Sequence, residues 1–135
     1  VPYENDLDPW LTLEENILFN AELFNVKSNI AKKRIRKYST LLGFNDQLSQ
    51  IAFKVPGGIH KKTMLIRSLI HNPDILILDE STANLDYESK KVIYEIIEDL
   101  NVTIINSTHN LDELKSYDYH IKTDELTSGK IINNE

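Results

Sequence analysis

The sequence predicts an α/β fold, with a short parallel sheet after an N-terminal helical subdomain and a hairpin at the C-terminus. Three observations carry this. Two continuous apolar runs, Ile75-Leu76-Ile77-Leu78 and Val102-Thr103-Ile104-Ile105, flank a segment of helical period, the strand–helix–strand order of a parallel layer. The first fifty or so residues show the helical period. Beyond Tyr119, short runs surround Ser128-Gly129, which reads as a hairpin turn. The expected division is a helical subdomain over residues 1–52 and an α/β core over residues 53–135.

Each element has its own signal. Thr12 followed three residues later by Glu15 has capping-box spacing, in which hydroxyl and carboxylate each take an orphan N–H. Leu13, Ile17, Leu18, Ala21 and Phe24 then share one helical face. A second helix, about 29–42, is basic on its outside (Lys32, Lys33, Arg34, Arg36, Lys37), and Gly43 stands where a left-handed residue stops it. A short turn or helix near 46–51 leads to Gly57-Gly58. Ile59, Met64, Leu65, Leu69 and Ile70 then predict a helix closed by Asn72-Pro73. After the Ile75–Asp79 strand, Val92, Ile93, Ile96, Ile97 and Leu100 place a helix over about 87–100, followed by a strand over 102–106. Asn110 with Glu113 caps a further short helix. Both apolar runs are continuous, the pattern of strands covered on two faces.

Composition narrows the function classes. A chain of 135 residues is long enough for one domain with a real core. Without cysteine, disulfides and thiolate metal sites are excluded. No stretch reads as a signal peptide or reaches the roughly 18 apolar residues of a membrane span. The net charge of −6 gives no bulk attraction to nucleic acid or to an anionic membrane. That charge is uneven. Residues 1–26 hold six acids and no Lys or Arg, whereas residues 27–67 hold ten bases against one acid, Asp46. Such a block is ordinarily a solvated face, but this one ends beside Gly57-Gly58.

The residues able to carry chemistry lie where a parallel sheet would gather them. Asp79-Glu80 ends a buried run, and that arrangement suits phosphoryl transfer: the Asp holds a Mg²⁺-bound water and the Glu orients the attacking one. The same pattern also marks a strand simply meeting water. Ser107-Thr108-His109 follows the next apolar run, so parallel pairing would bring His109 and Glu80 to one edge, where ligands of such sheets bind. Gly57-Gly58 opening a helix offers backbone N–H groups to an anion, and alone could equally be a turn.

In this order and spacing the elements resemble the C-terminal part of an ABC-type ATPase, over nearly the whole chain. The resemblance implies a partial P-loop NTPase-type sheet. It identifies Asp79 as the metal-side residue of the Walker B strand, Glu80 as the catalytic glutamate and His109 as the switch histidine. Asn84-Leu85-Asp86 resembles the loop that crosses between two ATPase subunits. Val55 to Lys62 stands where the family has its Leu-Ser-Gly-Gly-Gln signature, with Gly57, Gly58 and the basic Lys61 and Lys62 facing a partner's γ-phosphate. The opening residues are similar to the segment leading from the glutamine loop, with Tyr3 at the glutamine, into the helical lobe. The stretches over 4–16 and 107–114 resemble the exporter branch. Implied cofactors are ATP and Mg²⁺. Implied partners are a second ATPase subunit and a membrane transporter subunit, contacted through Pro9-Trp10-Leu11 and the helix from Thr12.

Departures from the family pattern matter as much. Tyr3 cannot replace an amide cleanly. Pro56 removes the signature hydroxyl and a backbone N–H, Ile59 replaces the signature glutamine, and Ser81 stands in place of a proline. The phosphate loop G-x-x-x-x-G-K-[ST] is absent. In the family it precedes the point where this chain begins, so the expectation is that another chain or an upstream segment supplies it and completes the sheet. Three readings follow. The first is an ATP-coupling exporter subunit, the second a non-catalytic relative kept for assembly, and the third a chromosome-maintenance ATPase, disfavoured by the lack of a coiled-coil repeat. The location implied is the cytoplasmic or organellar matrix face of a membrane. A mitochondrial or other organellar origin rests only on a composition rich in Ile, Asn and Lys.

Overall fold

The structure, a computed structural model, describes residues 7–79, 85–107, 119–120 and 132–133. Helices and a parallel sheet make up the chain, the α/β class expected.

Helix α1 (Leu13–Leu23) begins with the anticipated capping box. Thr12 Oγ1 accepts from Glu15 N at 3.1 Å, and Glu15 Oε2 accepts from Thr12 N at 2.8 Å. These bonds hold the Glu15 carboxyl below its ordinary pKa. Leu13, Ile17 and Ala21 are buried as the period requires, but Phe24 lies just past the helix and is exposed. Helix α2 (Ser28–Leu41) buries Ala31, Ile35 and Tyr38, leaving its cations outside. Short 3-10 turns, Asn45–Gln47 and Ala52–Lys54, then bring the chain back past the start of α1. Leu13 N donates to Gln50 O, Ala52 N to Leu11 O and Phe53 N to Pro9 O, at 2.9–3.1 Å. That return sets the start of α3 (Gly57–Leu69) beside residues 7–12. α3 packs on both α1 and α2, so the helix that opens the 53–135 segment leans on the helices before it.

The α/β part is one strand–helix–strand unit: β1 (Ile75–Asp79), α4 (Tyr87–Asp99) and β2 (Thr103–Ser107). β1 and β2 pair in parallel, from Ile75 opposite Thr103 to Asp79 opposite Ser107. Beyond them β3 (Tyr119–His120) and β4 (Ile132–Asn133) pair antiparallel, as a hairpin requires. The turn at Ser128-Gly129 and the helix expected after Asn110 lie outside the described residues.

Leu76 and Leu78 join Ile93, Ile96 and Ile97 of α4 and the inner faces of α1–α3 in one buried cluster. Among the described residues the other sheet face has no cover. Ile75, Ile77 and Ile105 are 58%, 71% and 56% exposed. The continuous apolar runs ask for cover on both faces, and the described residues cover only one.

Helix ends follow one rule. Gly43 has φ 74°, and Asn25, Asn72 and Asn101 have φ 56°, 53° and 50°. Each lies one or two residues after a helix C-cap, where left-handed backbone releases the chain and Asn is the side chain that tolerates it.

Candidate functional site

Two regions hold the residues singled out by the sequence. The first is the carboxyl edge of the parallel pair. Asp79 and Ser107 are its last register partners, so both strands run out at the same edge, the edge at which ligands of parallel sheets bind. Glu80 follows Asp79 directly in sequence and His109 lies two residues beyond Ser107. Both, like Tyr3, fall outside the described residues, so their juxtaposition stands as an expectation. One residue short of this edge, Asn106 keeps a buried Nδ2 with no hydrogen-bond partner among the described residues. A buried donor left unmatched costs about 1–3 kcal/mol, so this edge has a polar group in want of an acceptor.

The second region is the start of α3. Pro56 is its N-cap, with φ −60° and ψ 151° and no side-chain cap. Its carbonyl already accepts from Ile59 N and His60 N at 3.0 and 3.1 Å. Gly57 N and Gly58 N therefore have no acceptor among the described residues. A Cβ built on either glycine would meet nothing within 4 Å, so the two glycines are not demanded by packing here. What they leave is an uncovered helix N-terminus able to approach an anion closely. It opens on a cavity of about 650 Å³ lined in part by Leu7, Asp8, Pro9, Phe53 and His60. Phe53 of that lining stacks with Trp10, their centroids 6.1 Å apart.

Asp86 connects the two regions. As N-cap of α4 it accepts from Ser89 N at 2.8 Å and from Ser89 Oγ at 2.6 Å. Lys62 Nζ, on the second turn of α3, lies 3.9 Å from Oδ2, the oxygen that also accepts from the Ser89 hydroxyl. Hydrogen bonds from the Ser89 side chain and backbone, with help from Lys62, hold its carboxyl below the ordinary value. Lys62 itself is turned inward, with only 13% of its side chain exposed, and it donates to Leu42 O at 3.1 Å. The sequence reading that aimed it at a partner's phosphate is replaced by this internal role. Lys61 also has an interaction of its own.

Asn16 escaped the sequence reading. It is buried among apolar residues of α1, where its Oδ1 accepts from Asp8 N at 2.7 Å and its Nδ2 donates to Asp8 O and Thr12 O. It thereby fixes the segment that lines the cavity. Its one signal was position: an amide three residues after Leu13 and one before Ile17, on the face meant for the core.

For the implied groups, the free N–H pair and open space at Gly57-Gly58 fit a phosphate. Among the described residues no cluster of three or more metal-ligating side chains occurs. A Mg²⁺ ligand set would have to draw on Asp79 and Glu80, whose side chains are not described.

A family model described as ABC transporter matches residues 1–83. The chain belongs to the ABC transporter family. Its relatives in that family are ATP-binding subunits of varied duty. An energy-coupling factor transporter ATP-binding protein EcfA2 of Staphylococcus saprophyticus is 37% identical over 90% of this chain and 43% of its own length. The cell division ATP-binding protein FtsE of Bacillus subtilis is 30% identical over 76% of this chain and 46% of its own. A Nod factor export ATP-binding protein I of Burkholderia thailandensis is 30% identical over 84% of this chain and 38% of its own. Among solved structures, an ATP-binding subunit of an ABC transporter superposes with a TM-score of 0.79 at 23% identity, over 88% of this chain and 51% of that one. That likeness fixes the fold as ABC-ATPase-like, of P-loop NTPase type. The chain spans less than half the length of these curated relatives. Their names run from cell division to export, so the exporter branch read from the sequence is not separated from the rest. Among the described residues no helix is long and apolar enough to cross a membrane.

Proposed function

We propose that this chain is the second half of an ATP-hydrolysing ABC transporter subunit, working once a phosphate-loop segment joins its sheet. The observation that carries the reading is the β1–β2 register. With Asp79 and Ser107 as terminal partners, the sequence steps to Glu80 and to His109 start from one edge. Asp79 would hold Mg²⁺, Glu80 would orient the attacking water and His109 would sense the transferred phosphoryl group. The Gly57 and Gly58 N–H groups would meet the nucleotide of a second ATPase subunit. Asp86, held ionised by Ser89, would line the crossing between them, and Tyr3 would stand near the metal in place of an amide. The helical subdomain, residues 1–52, would pass closure to a membrane subunit driving export, and residues 53–135 would supply the ATPase core. The chain would then sit at the cytoplasmic face of a membrane. The relatives reported above are bacterial and lend no support to an organellar site.

The test is Glu80→Gln in the assembled protein. Turnover is expected to fall by ~10²–10⁴, the contribution of a positioned general base, with ATP binding retained. An unchanged kcat refutes the catalytic reading.

A second reading, a non-catalytic subunit kept for assembly, has its own observation. Ile59, at the signature glutamine position, is half-buried and packed against the core, so that position presents carbon where the family presents an amide.

A further inference from the structure

The cations of α2 take no part in the site described above. Lys32, Lys33, Arg36 and Lys37 are all exposed, and α2 contains no acid. At about 100° per residue they fall within one arc of roughly 140°, turned away from the buried Ala31, Ile35 and Tyr38. Lys27, exposed at the turn into the helix, extends the same charge. Lys37 lies 5.9 Å from the centroid of the Tyr38 ring. Among the described residues none of these five cations forms an ion pair. The end of α1 that joins this helix is apolar and uncovered: Phe19, Leu23 and Phe24 are 60%, 64% and 53% exposed, and Ile30 across the turn 40%.

We propose that the outer face of α2 and the adjoining tip of α1 form a docking surface for an anionic phospholipid bilayer. A helix with a basic face and apolar neighbours is built for the headgroup boundary, with cations among phosphates and carbon below them. The chain's overall negative charge does not oppose this, because beyond a Debye length of about 10 Å at 0.1 M salt it is screened. A nucleic-acid strand would want exposed rings on which bases stack. Here Tyr38 is buried, the Phe24 ring is already stacked on His71 at 3.9 Å and 10°, and the exposed Phe19 is a single ring among the aliphatic Leu23 and Ile30. The surface goes beyond the ATPase reading and is tested without turnover, so either can fail alone.

The experiment sediments the purified full chain with vesicles of phosphatidylcholine, with and without about a third phosphatidylserine. Binding is expected to the anionic vesicles alone and to weaken with salt. Each cation near such a surface is worth about fivefold in partitioning. Replacing Lys32, Lys33, Arg36 and Lys37 together by Gln should therefore lower it at least tenfold, while Lys32→Arg with Lys33→Arg and Lys37→Arg retains it. Phe19→Ser with Leu23→Ser should remove the binding that survives high salt. All these positions are exposed, and circular dichroism checks that each variant folds. Equal binding to both vesicles, or wild-type binding by the Gln variant, overturns the proposal. So does capture of the chain by polyuridylate when anionic vesicles leave it in solution.

Discussion

Replacing Pro56 by Ser separates a structural cap from a nucleotide contact, because the two effects differ in size. At the start of α3 the Pro56 carbonyl already serves Ile59 N and His60 N, and Pro56 brings no side-chain cap. A serine hydroxyl there gains a capping bond of about 1 kcal/mol. Against this, Pro56 sits at φ −60°, its own preferred value, and losing it returns about 0.4–1 kcal/mol of freedom to the unfolded chain. The two nearly cancel, so Tm should move by no more than a few degrees. Where that face meets a partner's phosphate, the hydroxyl and the restored N–H each add a bond to a charged group worth about 1.5–3 kcal/mol. Even one such bond tightens association by about tenfold to a hundredfold. Sedimentation velocity with the phosphate-loop partner, with and without ATP and with hydrolysis blocked by Glu80→Gln, measures this. Adding Ile59→Gln should tighten it further. Unaltered ATP-driven association would show that the face never meets nucleotide.

Three further outcomes are expected. Ile35→Ala empties a fully buried site in α2 and should cost about 2–5 kcal/mol, read from the urea midpoint; a loss under 1 kcal/mol would contradict the packing. His71, whose pKa burial lowers from 6.5, stays neutral in the folded chain while the unfolded chain protonates first. Stability is therefore full above pH 6.5 and falls as pH drops through the folded pKa, a fall that His71→Phe should remove while keeping the ring stack on Phe24; an unchanged pH profile would refute this. Ile77→Lys on the bare sheet face should be nearly neutral in the isolated chain, as surface changes are, yet abolish association with the phosphate-loop segment in pull-down; retained association would show that nothing covers that face.

Local signals were legible wherever a short stretch decided its own conformation. The Thr12–Glu15 box, the stop at Gly43 and both strands of the parallel pair fall within a residue of expectation, because capping chemistry and apolar runs act locally. Phe24 was read as core from its period, but the helix ends at Leu23, so the period no longer governed it. The left-handed Asn25 and Asn101 were missed since Asn is ordinary in loops and only the helix end gives it meaning. Lys62 was read as a ligand for phosphate because its burial depends on Leu42 and Asp86, distant in sequence. The motif order carried Asp79, Glu80, Asp86 and His109 as a set. That the sheet would want a further segment was legible only from the two continuous apolar runs taken together, not from any local spacing.

The position of Lys62 has a mechanical consequence. One ammonium spans the end of α2, through Leu42 O, and the head of α4, through Asp86. It acts as a shear pin: any rotation of the helical lobe that carries Leu42 away from α4 must stretch one of the two contacts. The hydrogen bond to Leu42 O is shorter than the approach to Asp86, 3.1 Å against 3.9 Å, so the pin yields first on the side of Asp86. Separation of the lobe from α4 is thus released at the carboxylate that heads α4, while the helices α2 and α3, still joined through Leu42 O, travel together.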